Sequence, residues 1–313
     1  MLFSACRFRF PATALLAALL AGSPRIPAQT QVPLHPTIEW MCSPEAAEIA
    51  TTPTVHWLAD GRAVLFDTLR PPADRTLEIL DPASGKRAPL TDPATVLGNM
   101  KTALGENTAP RSLPGPMEID ANGATALFLF DGDVVLLDIP SRAVLRITHT
   151  PEHESCAHFS PDGNAVAYVR GNNLFVFDRR SGMERQLTFD GSDSLKNGTL
   201  SWVYWEEIFG RFDVGYWWSP DSRSIAFLRT DESGVSTQHY VDVKPWTPRL
   251  ISQRYPKVGE KNPSVRLGVV QVQQGKTTWM DLTSFPYEYI VRVQWLPDGS
   301  LLSLQTMNRL QTE

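Results

Sequence analysis

These 313 residues contain no Gly-x-Ser-x-Gly, no Gly-rich phosphate loop and no His-Glu-x-x-His. The first absence removes the strand-to-helix elbow on which a serine hydrolase presents its nucleophile. The nearest approach, Gly234-Val235-Ser236-Thr237-Gln238, lacks the second glycine. The other two absences exclude P-loop nucleotide chemistry and the helical zinc peptidase site. No catalytic residue is therefore expected in the chain. Cysteine is scarce as well. Cys6 sits in the N-terminal stretch, and Cys42 and Cys156 are too few for a disulfide framework, although two thiols could pair in an oxidising compartment. Lys and Arg number 29 against 34 Asp and Glu, which does not suit nucleic acid or an anionic membrane as a partner. Beyond the N-terminal stretch no apolar run is long enough to span a bilayer.

The N-terminal stretch reads as a secretory signal over residues 1–28. Arg7 and Arg9 form a basic start, Ala12 to Ala21 a short apolar run, and Gly22, Ser23 and Ala28 supply small residues near a cleavage point. The run is short for an anchor, and no Cys follows it where a lipoprotein signal would need one. The expected localisation is secreted or periplasmic. Removing the signal takes Arg7, Arg9 and Arg25 but no acid, so the formal charge moves from −5 to −8. Residues 29–37 form a polar lead-in, and a repeat domain is expected over 38–313.

What the chain does have is a repeat. An aromatic-x-x-Asp turn followed by a β-rich run occurs at Trp57-Leu58-Ala59-Asp60-Gly61, Phe159-Ser160-Pro161-Asp162-Gly163, Trp218-Ser219-Pro220-Asp221-Ser222 and Trp295-Leu296-Pro297-Asp298-Gly299. Asp-Gly between strand-like runs marks a hairpin. A second half-unit, a strand ending in Asp and a strand ending in Thr ten positions later, spans Asp81 to Thr91, Asp138 to Thr148 and Asp178 to Thr188. About four short strands in roughly 40 to 60 residues is the length of a propeller blade, whose sheet needs its neighbours to cover it. The expected fold is all-β: a partial β-propeller of about four to five four-stranded antiparallel blades, the fifth insertion-rich between Trp218 and Trp295.

Three local features are candidates for function. His149, His153, Cys156 and His158 have residue types that could hold a transition metal, but they fall in a connection between blades, where a solvated loop is the simpler reading. No metal or cofactor is expected. Asn197-Gly198-Thr199 matches a glycosylation acceptor. Glu206 and Glu207 are the unusual feature, because they sit in Trp202-Val203-Tyr204-Trp205-Glu206-Glu207-Ile208-Phe209-Gly210-Arg211. Carboxylates among so much apolar surface are normally paired. Trp202, Trp205, Phe209 and Phe212 are spaced 3-4-3, which predicts a short helical insertion with an aromatic face. On local grounds the two glutamates either face water or converge on a cation such as a primary ammonium.

Two longer motifs carry a family resemblance. The segment Trp202 to Phe209, followed by Trp217-Trp218-Ser219-Pro220-Asp221, resembles the double-Glu segment and succeeding blade turn of the dipeptidyl peptidase IV family. Tyr255-Pro256-Lys257-Val258-Gly259-Glu260-Lys261-Asn262-Pro263-Ser264-Val265 is similar to the family's Tyr-Pro-Lys-x-Gly-x-x-Asn-Pro-x-Val segment, and Trp279-Met280-Asp281-Leu282 takes the place of a following strand. The resemblance implies an eight-bladed propeller joined to an α/β-hydrolase domain bearing a Ser-Asp-His triad. It also implies that Glu206 and Glu207 bind the free N-terminal ammonium of a peptide substrate, and that the full-length family forms homodimers. The chain departs from the family in showing no Arg near Ala126 to Asp131, where animal members carry one. The hydrolase domain is also absent from these residues, so the expectation is a non-catalytic propeller portion that needs that domain in cis or in trans. The alternative expectation is a stand-alone secreted propeller that binds a peptide or protein without catalysis.

Overall fold

The computed structural model describes residues 37–43, 52–284 and 287–313. The signal expected over 1–28 and most of the lead-in lie outside the described residues. The chain divides into two compact units, Met1–Thr51 and Thr52–Glu313. In the first, helix α1 (Ile38–Met41) is a single turn, capped where Thr37 Oγ1 accepts from the Trp40 amide at 3.1 Å. No helix among the described residues is long and apolar enough to cross a membrane.

The second unit is a series of antiparallel sheets, each wound in chain order. The first is β1 (Thr54–Trp57), β2 (Ala63–Phe66), β3 (Leu77–Asp81) and β4 (Lys86–Pro89). After it comes helix α2 (Pro93–Leu104), which the strand repeat did not suggest. Its signals are nevertheless ordinary: Asp92 caps it by accepting from the Thr95 amide at 2.8 Å, Pro93 stands at the first turn, and Gly105 ends it. The second sheet is β5 (Glu118–Ile119), β6 (Thr125–Phe130), β7 (Asp133–Asp138) and β8 (Val144–Arg146). The third is β9 (Glu154–Phe159), β10 (Ala165–Arg170), β11 (Asn173–Asp178) and β12 (Met183–Gln186). Together with the sheets that follow, these form a partial propeller of the expected all-β class.

The repeated residues have repeated jobs. In the aromatic-x-x-Asp turns, Asp60, Asp162, Asp221 and Asp298 each accept through Oδ1 from the amide two residues on, at 3.0 to 3.1 Å. Asp120-Ala121-Asn122-Gly123 is the second sheet's copy of this turn, which the sequence pattern did not reveal. There Asp120 accepts from the Ala124 amide at 2.7 Å. Asp81, Asp138 and Asp178 end β3, β7 and β11 and accept from amides of the following turn. The threonines differ from expectation. Thr91, Thr148 and Thr188 stand two residues beyond β4, β8 and β12 rather than ending them. The reason is a clamp: Thr148 and Thr188 turn Oγ1 back to accept from Val134 and Leu174, at the start of the preceding strands, at 2.8 and 2.9 Å.

The first strands of successive sheets lie against one another. Ala59, in the turn after β1, donates its amide to Ala121 O at 2.9 Å. Glu118 of β5 accepts from the Phe159 amide of β9 at 2.9 Å and pairs with His158 at 3.2 Å. The cores sit between sheets, in apolar layers shared by neighbours. Phe66, Met100 and Phe128 share one such cluster, and Leu127, Tyr168 and Phe175 another. Sheets are thus covered by their neighbours, which is the stacking logic of a repeat fold.

The fourth sheet is interrupted twice. Its edge against β15 (Ser224–Asp231) is shared by two short strands, β13 (Leu195–Asn197) and β14 (Tyr216–Trp218), and β18 (Ser264–Gln271) and β19 (Thr277–Trp279) follow on the other side. Between β15 and β18 the chain extends into a separate hairpin, β16 (Thr237–Asp242) with β17 (Arg249–Arg254). The last hairpin pairs β20 (Tyr289–Trp295) with β21 (Leu302–Met307) and begins a fifth sheet.

Candidate functional site

The segment from Thr199 to Val214 leaves the first strand of the fourth sheet and returns to it. Its neck is closed by backbone contacts. Gly198 N donates to Leu228 O at 3.0 Å, Gly215 N to Gly198 O at 2.9 Å, and Leu228 N to Gly215 O at 2.8 Å. Glycine is required here. Gly198 has φ +79°, and a Cβ at Gly215 would stand 2.8 Å from Leu200 Cδ2 and 3.3 Å from the Gly198 carbonyl carbon. One strand is therefore cut in two so that a loop can be held out from its edge.

At the head of this loop Val203–Ile208 forms a π-helical turn. The widened register shows in Phe209 N donating to Tyr204 O, five residues back, at 2.8 Å. The aromatic face expected from the 3-4-3 spacing is only partly realised. Phe212 lies past the turn and is 71% exposed, whereas Tyr204, off that face, is fully buried. The physical reason is the wider turn, which rotates the side chains away from α-helical spacing and makes Tyr204 the anchor. Its hydroxyl accepts from the Ile290 amide at 3.1 Å, and Trp205, Ile208 and Phe209 pack around the same cluster of Leu200, Leu228, Leu267 and Val293.

Glu206 and Glu207 follow directly from that anchor. Glu206 is partly buried, and Oε1 accepts from Arg211 Nη2 at 3.1 Å and Nε at 3.3 Å. Arg211 is itself largely exposed and has φ +72°. Glu207 is exposed and lines a groove of about 490 Å³ with Val203, Ile208, Tyr289, Val291 and Met307. The two carboxylates thus share one turn but meet different surroundings. An exposed ion pair such as Glu206–Arg211 contributes little, roughly 0–1 kcal/mol, so an incoming cation can exchange with the guanidinium.

The second motif supports the first. Tyr255 meets Trp202 edge-on, with ring centroids 4.5 Å apart. Glu260 accepts from the Lys257 amide at 2.8 Å and from Ser236 Oγ, and Asn262 Nδ2 donates to Glu288 Oε1 and Tyr289 OH, each at 2.8 Å. Residues 255–263 therefore form a loop, as expected, that braces the turn and the last hairpin before entering β18.

The remaining candidates have structural places. Among the described residues no three His, Cys, Asp or Glu side chains gather as a metal site. His158 pairs with Glu118, while Cys156 is buried on β9 at φ +54°. Burial pushes its thiol up to about 12, assisted by the nearby Asp213. Asn197 is 1% exposed and donates Nδ2 to Asp190 at 2.8 Å, so its amide is not presented as an acceptor for glycan. The strand near Ala126 to Asp131 that shows no Arg is β6, and Ala126, Leu127 and Phe128 there are fully buried.

Comparison with known proteins gives this geometry a family. The sequence model of the family described as Dipeptidyl peptidase IV (DPP IV) N-terminal region matches residues 128–313, more than half of the chain. The dipeptidyl peptidase 4 of Arthroderma otae is 37% identical over 165 residues, a match covering 50% of this chain and 21% of that protein. The chain therefore spans about a fifth of the length of this curated relative. The crystal structure of Porphyromonas gingivalis dipeptidyl peptidase 4 superposes with a TM-score of 0.69 at 26% identity, over 85% of this chain and 38% of that one. A Bacteroides ovatus structure, with a TM-score of 0.58 at 21% identity over 82% of this chain and 33% of its own, is alike in fold. The sequence match covers more than half of the chain and the solved structures share its fold: this chain belongs to the family of the dipeptidyl peptidase IV N-terminal region.

Proposed function

We propose that this chain is the substrate-recognising propeller portion of a secreted or periplasmic dipeptidyl-peptidase-type serine peptidase. In this reading Glu206 and Glu207 bind the free N-terminal ammonium of a peptide. The observation that carries it is the split first strand of the fourth sheet. The fold gives up a continuous inner strand, and that interruption holds out two adjacent carboxylates on a turn anchored through Tyr204. A primary ammonium has three donors and forms strong charge-assisted bonds to carboxylates. It would replace the Arg211 guanidinium on Glu206 and draw Glu207 toward the same charge. Anchoring the first residue sets the register of the peptide, and a hydrolase domain outside these residues, in cis or in trans, would then cut at a fixed distance from it.

The test is calorimetric binding of a C-terminally amidated tripeptide with a free amine, against its N-acetylated counterpart. Binding should vanish on acetylation and fall at least about tenfold in Glu206→Gln and in Glu207→Gln, the loss expected for a charge-assisted contact. Equal binding of the free and acetylated peptides would remove the assignment. With the hydrolase domain present, the same substitutions should collapse kcat/KM for dipeptide release.

The homodimer implied for the family is assigned in this reading to the β16–β17 hairpin. That hairpin pairs with no other strand among the described residues and exposes Val241, Val243, Trp246 and Leu250. Trp246 is fully exposed, and apolar surface of this kind marks contact sites. Sedimentation of the wild-type chain and Trp246→Glu should show a self-associating species lost in the variant; a monomer in both would exclude this surface.

A further inference from the structure

A second cavity, of about 500 Å³, opens beside the glutamate turn, and neither Glu206 nor Glu207 lines it. Lys196, Trp202, Trp205, Glu232, Gln253 and Arg254 do. Its volume falls in the range of small-molecule sites, roughly 300–1,000 Å³.

The lining holds two charged groups whose bonding capacity is barely used. Glu232 is 4% exposed, yet among the described residues its carboxylate has one ion-pair partner, Lys196 Nζ at 3.6 Å, longer than a normal hydrogen bond. A carboxylate accepts about four hydrogen bonds when satisfied. Burial raises the proton affinity of Glu232 despite the nearby Lys196 and Arg254. Thr230 is the cross-strand partner of Lys196 and so shares its sheet face; it is fully buried, and its hydroxyl has no partner among the described residues. Arg254 is the opposite case. Its guanidinium donates only to the backbone oxygens of Glu232 and Val235, both at 3.4 Å, and pairs with no carboxylate among the described residues. Five N–H donors on a guanidinium leave most of its capacity open.

The walls suit an apolar group. Trp202 is fixed in place by its edge contact with Tyr255, and Trp205 by packing in the core beneath the turn. The charges on the lining balance, with Asp193 and Glu232 against Lys196 and Arg254. A simple anion or a simple cation would therefore meet repulsion as well as attraction, whereas a ligand carrying both signs would satisfy both ends.

We propose that this cavity binds a small zwitterion, its ammonium on Glu232, its carboxylate on Arg254 and an apolar side chain between the two indoles. A free amino acid and a dipeptide share this chemistry, and the volume accommodates either. The site uses residues other than the glutamate pair, so it stands or falls independently of the amine-recognition reading.

The experiment is calorimetric titration of the full 313-residue chain with alanyl-phenylalanine, with phenylalanine, and with the N-acetylated and C-amidated forms of the dipeptide. Saturable binding is expected for at least one of the two unblocked ligands. It should weaken at least about tenfold in Glu232→Gln and in Arg254→Gln, and by a similar factor when the ligand's amine or carboxylate is blocked. Tighter binding of the dipeptide identifies a dipeptide site, and equal or tighter binding of phenylalanine an amino-acid site. The glutamate turn reads only the amine, so the dependence on Arg254 and on the ligand's free carboxylate is specific to the cavity and should persist in the Glu206→Gln background. No saturation up to on the order of 10 mM, the weak end of specific binding, overturns the proposal. So does unchanged affinity in both cavity variants, or binding that is indifferent to the ligand's carboxylate, which would move the ligand to the turn. Should Glu232→Gln fail to fold, the blocked ligands probe the same contacts on the unmodified chain, and affinity that survives both blocks overturns the proposal.

Discussion

The Ile290 amide donates to the Tyr204 hydroxyl at 3.1 Å across 86 residues of sequence. This bond joins the turn that carries the two glutamates to the first strand of the fifth sheet. Tyr204 is fully buried, and burial raises its phenol well above the ordinary range, so it stays a neutral acceptor throughout the physiological range. The position of Glu206 and Glu207 therefore depends on how two sheets pack, not only on the loop that bears them.

Tyr204→Phe removes the acceptor and leaves a buried amide unpaired. It should lower stability by about 1–3 kcal/mol, the desolvation cost of an unsatisfied group. It should also weaken binding of a free-amine peptide while leaving both glutamates in the chain. A urea melt and a binding titration on the same sample check both parts.

Gly198 closes the neck of the excursion at φ +79°. Gly198→Ala should cost about 1–2 kcal/mol for the left-handed backbone. The new Cβ would also sit 3.3 Å from both Leu174 and Val169, tight enough to need adjustment. A thermal melt that falls by less than the change seen for Gly182→Ala, at φ +71° with nothing within 4 Å, would contradict the claim that the neck is crowded.

Thr148 holds a denser junction than Thr188. Besides accepting from Val134, its hydroxyl lies 2.8 Å from Glu154 Oε2, beside the buried Asp133–Arg146 pair. Thr148→Val leaves the Val134 amide and the Glu154 carboxylate short of partners. The expected loss is about 1–3 kcal/mol, measured by chemical denaturation. A neutral result would show that water replaces the hydroxyl.

Cys156 gives a pH-dependent prediction. Its folded thiol is raised to about 12 from an ordinary value near 9.0. The folded state therefore holds this proton more tightly than the unfolded chain does. Its stabilising contribution is complete below about pH 9 and is lost as pH rises from about 9 to 12. At about pH 8 the buried thiol should resist iodoacetamide until the protein is unfolded, whereas exposed Cys42 should react at once. Peptide mass spectrometry separates the two sites, and rapid labelling of Cys156 in the native protein would refute its burial.

The repeat was legible because it is local. An Asp accepting from the amide two residues on recurs in four of the turns, and a Thr returning to the start of the preceding strand in two of the sheets; both are short-range devices. Asp60, Asp162, Asp221 and Asp298 announced the turns, and the ten-residue interval to Thr91, Thr148 and Thr188 announced the paired outer strands. The turn at Asp120 was hidden because Ile119 takes the place of the aromatic and Asn122 that of the Asp. Helix α2 was hidden because it interrupts a strand repeat, although Asp92, Pro93 and Gly105 mark its ends.

Of the site, residue types and neighbourhood were readable from the chain alone. Glu206 and Glu207 stood out as adjacent carboxylates among aromatics, and a short helical insertion was expected around them. Their environment was not readable, because it comes from residues far away in sequence. Ile290 anchors the turn, Tyr289 and Met307 line the groove at Glu207, and Tyr255 braces Trp202. The same holds for the neighbouring cavity, where Lys196, Glu232 and Arg254 are each unremarkable in the chain. The sequence by itself determined the blade repeat, the two glutamates and the glycines that let the strand be interrupted. Only the tertiary structure decided which buried charges are left short of partners, because burial and pairing depend on contacts between sheets that no local pattern encodes.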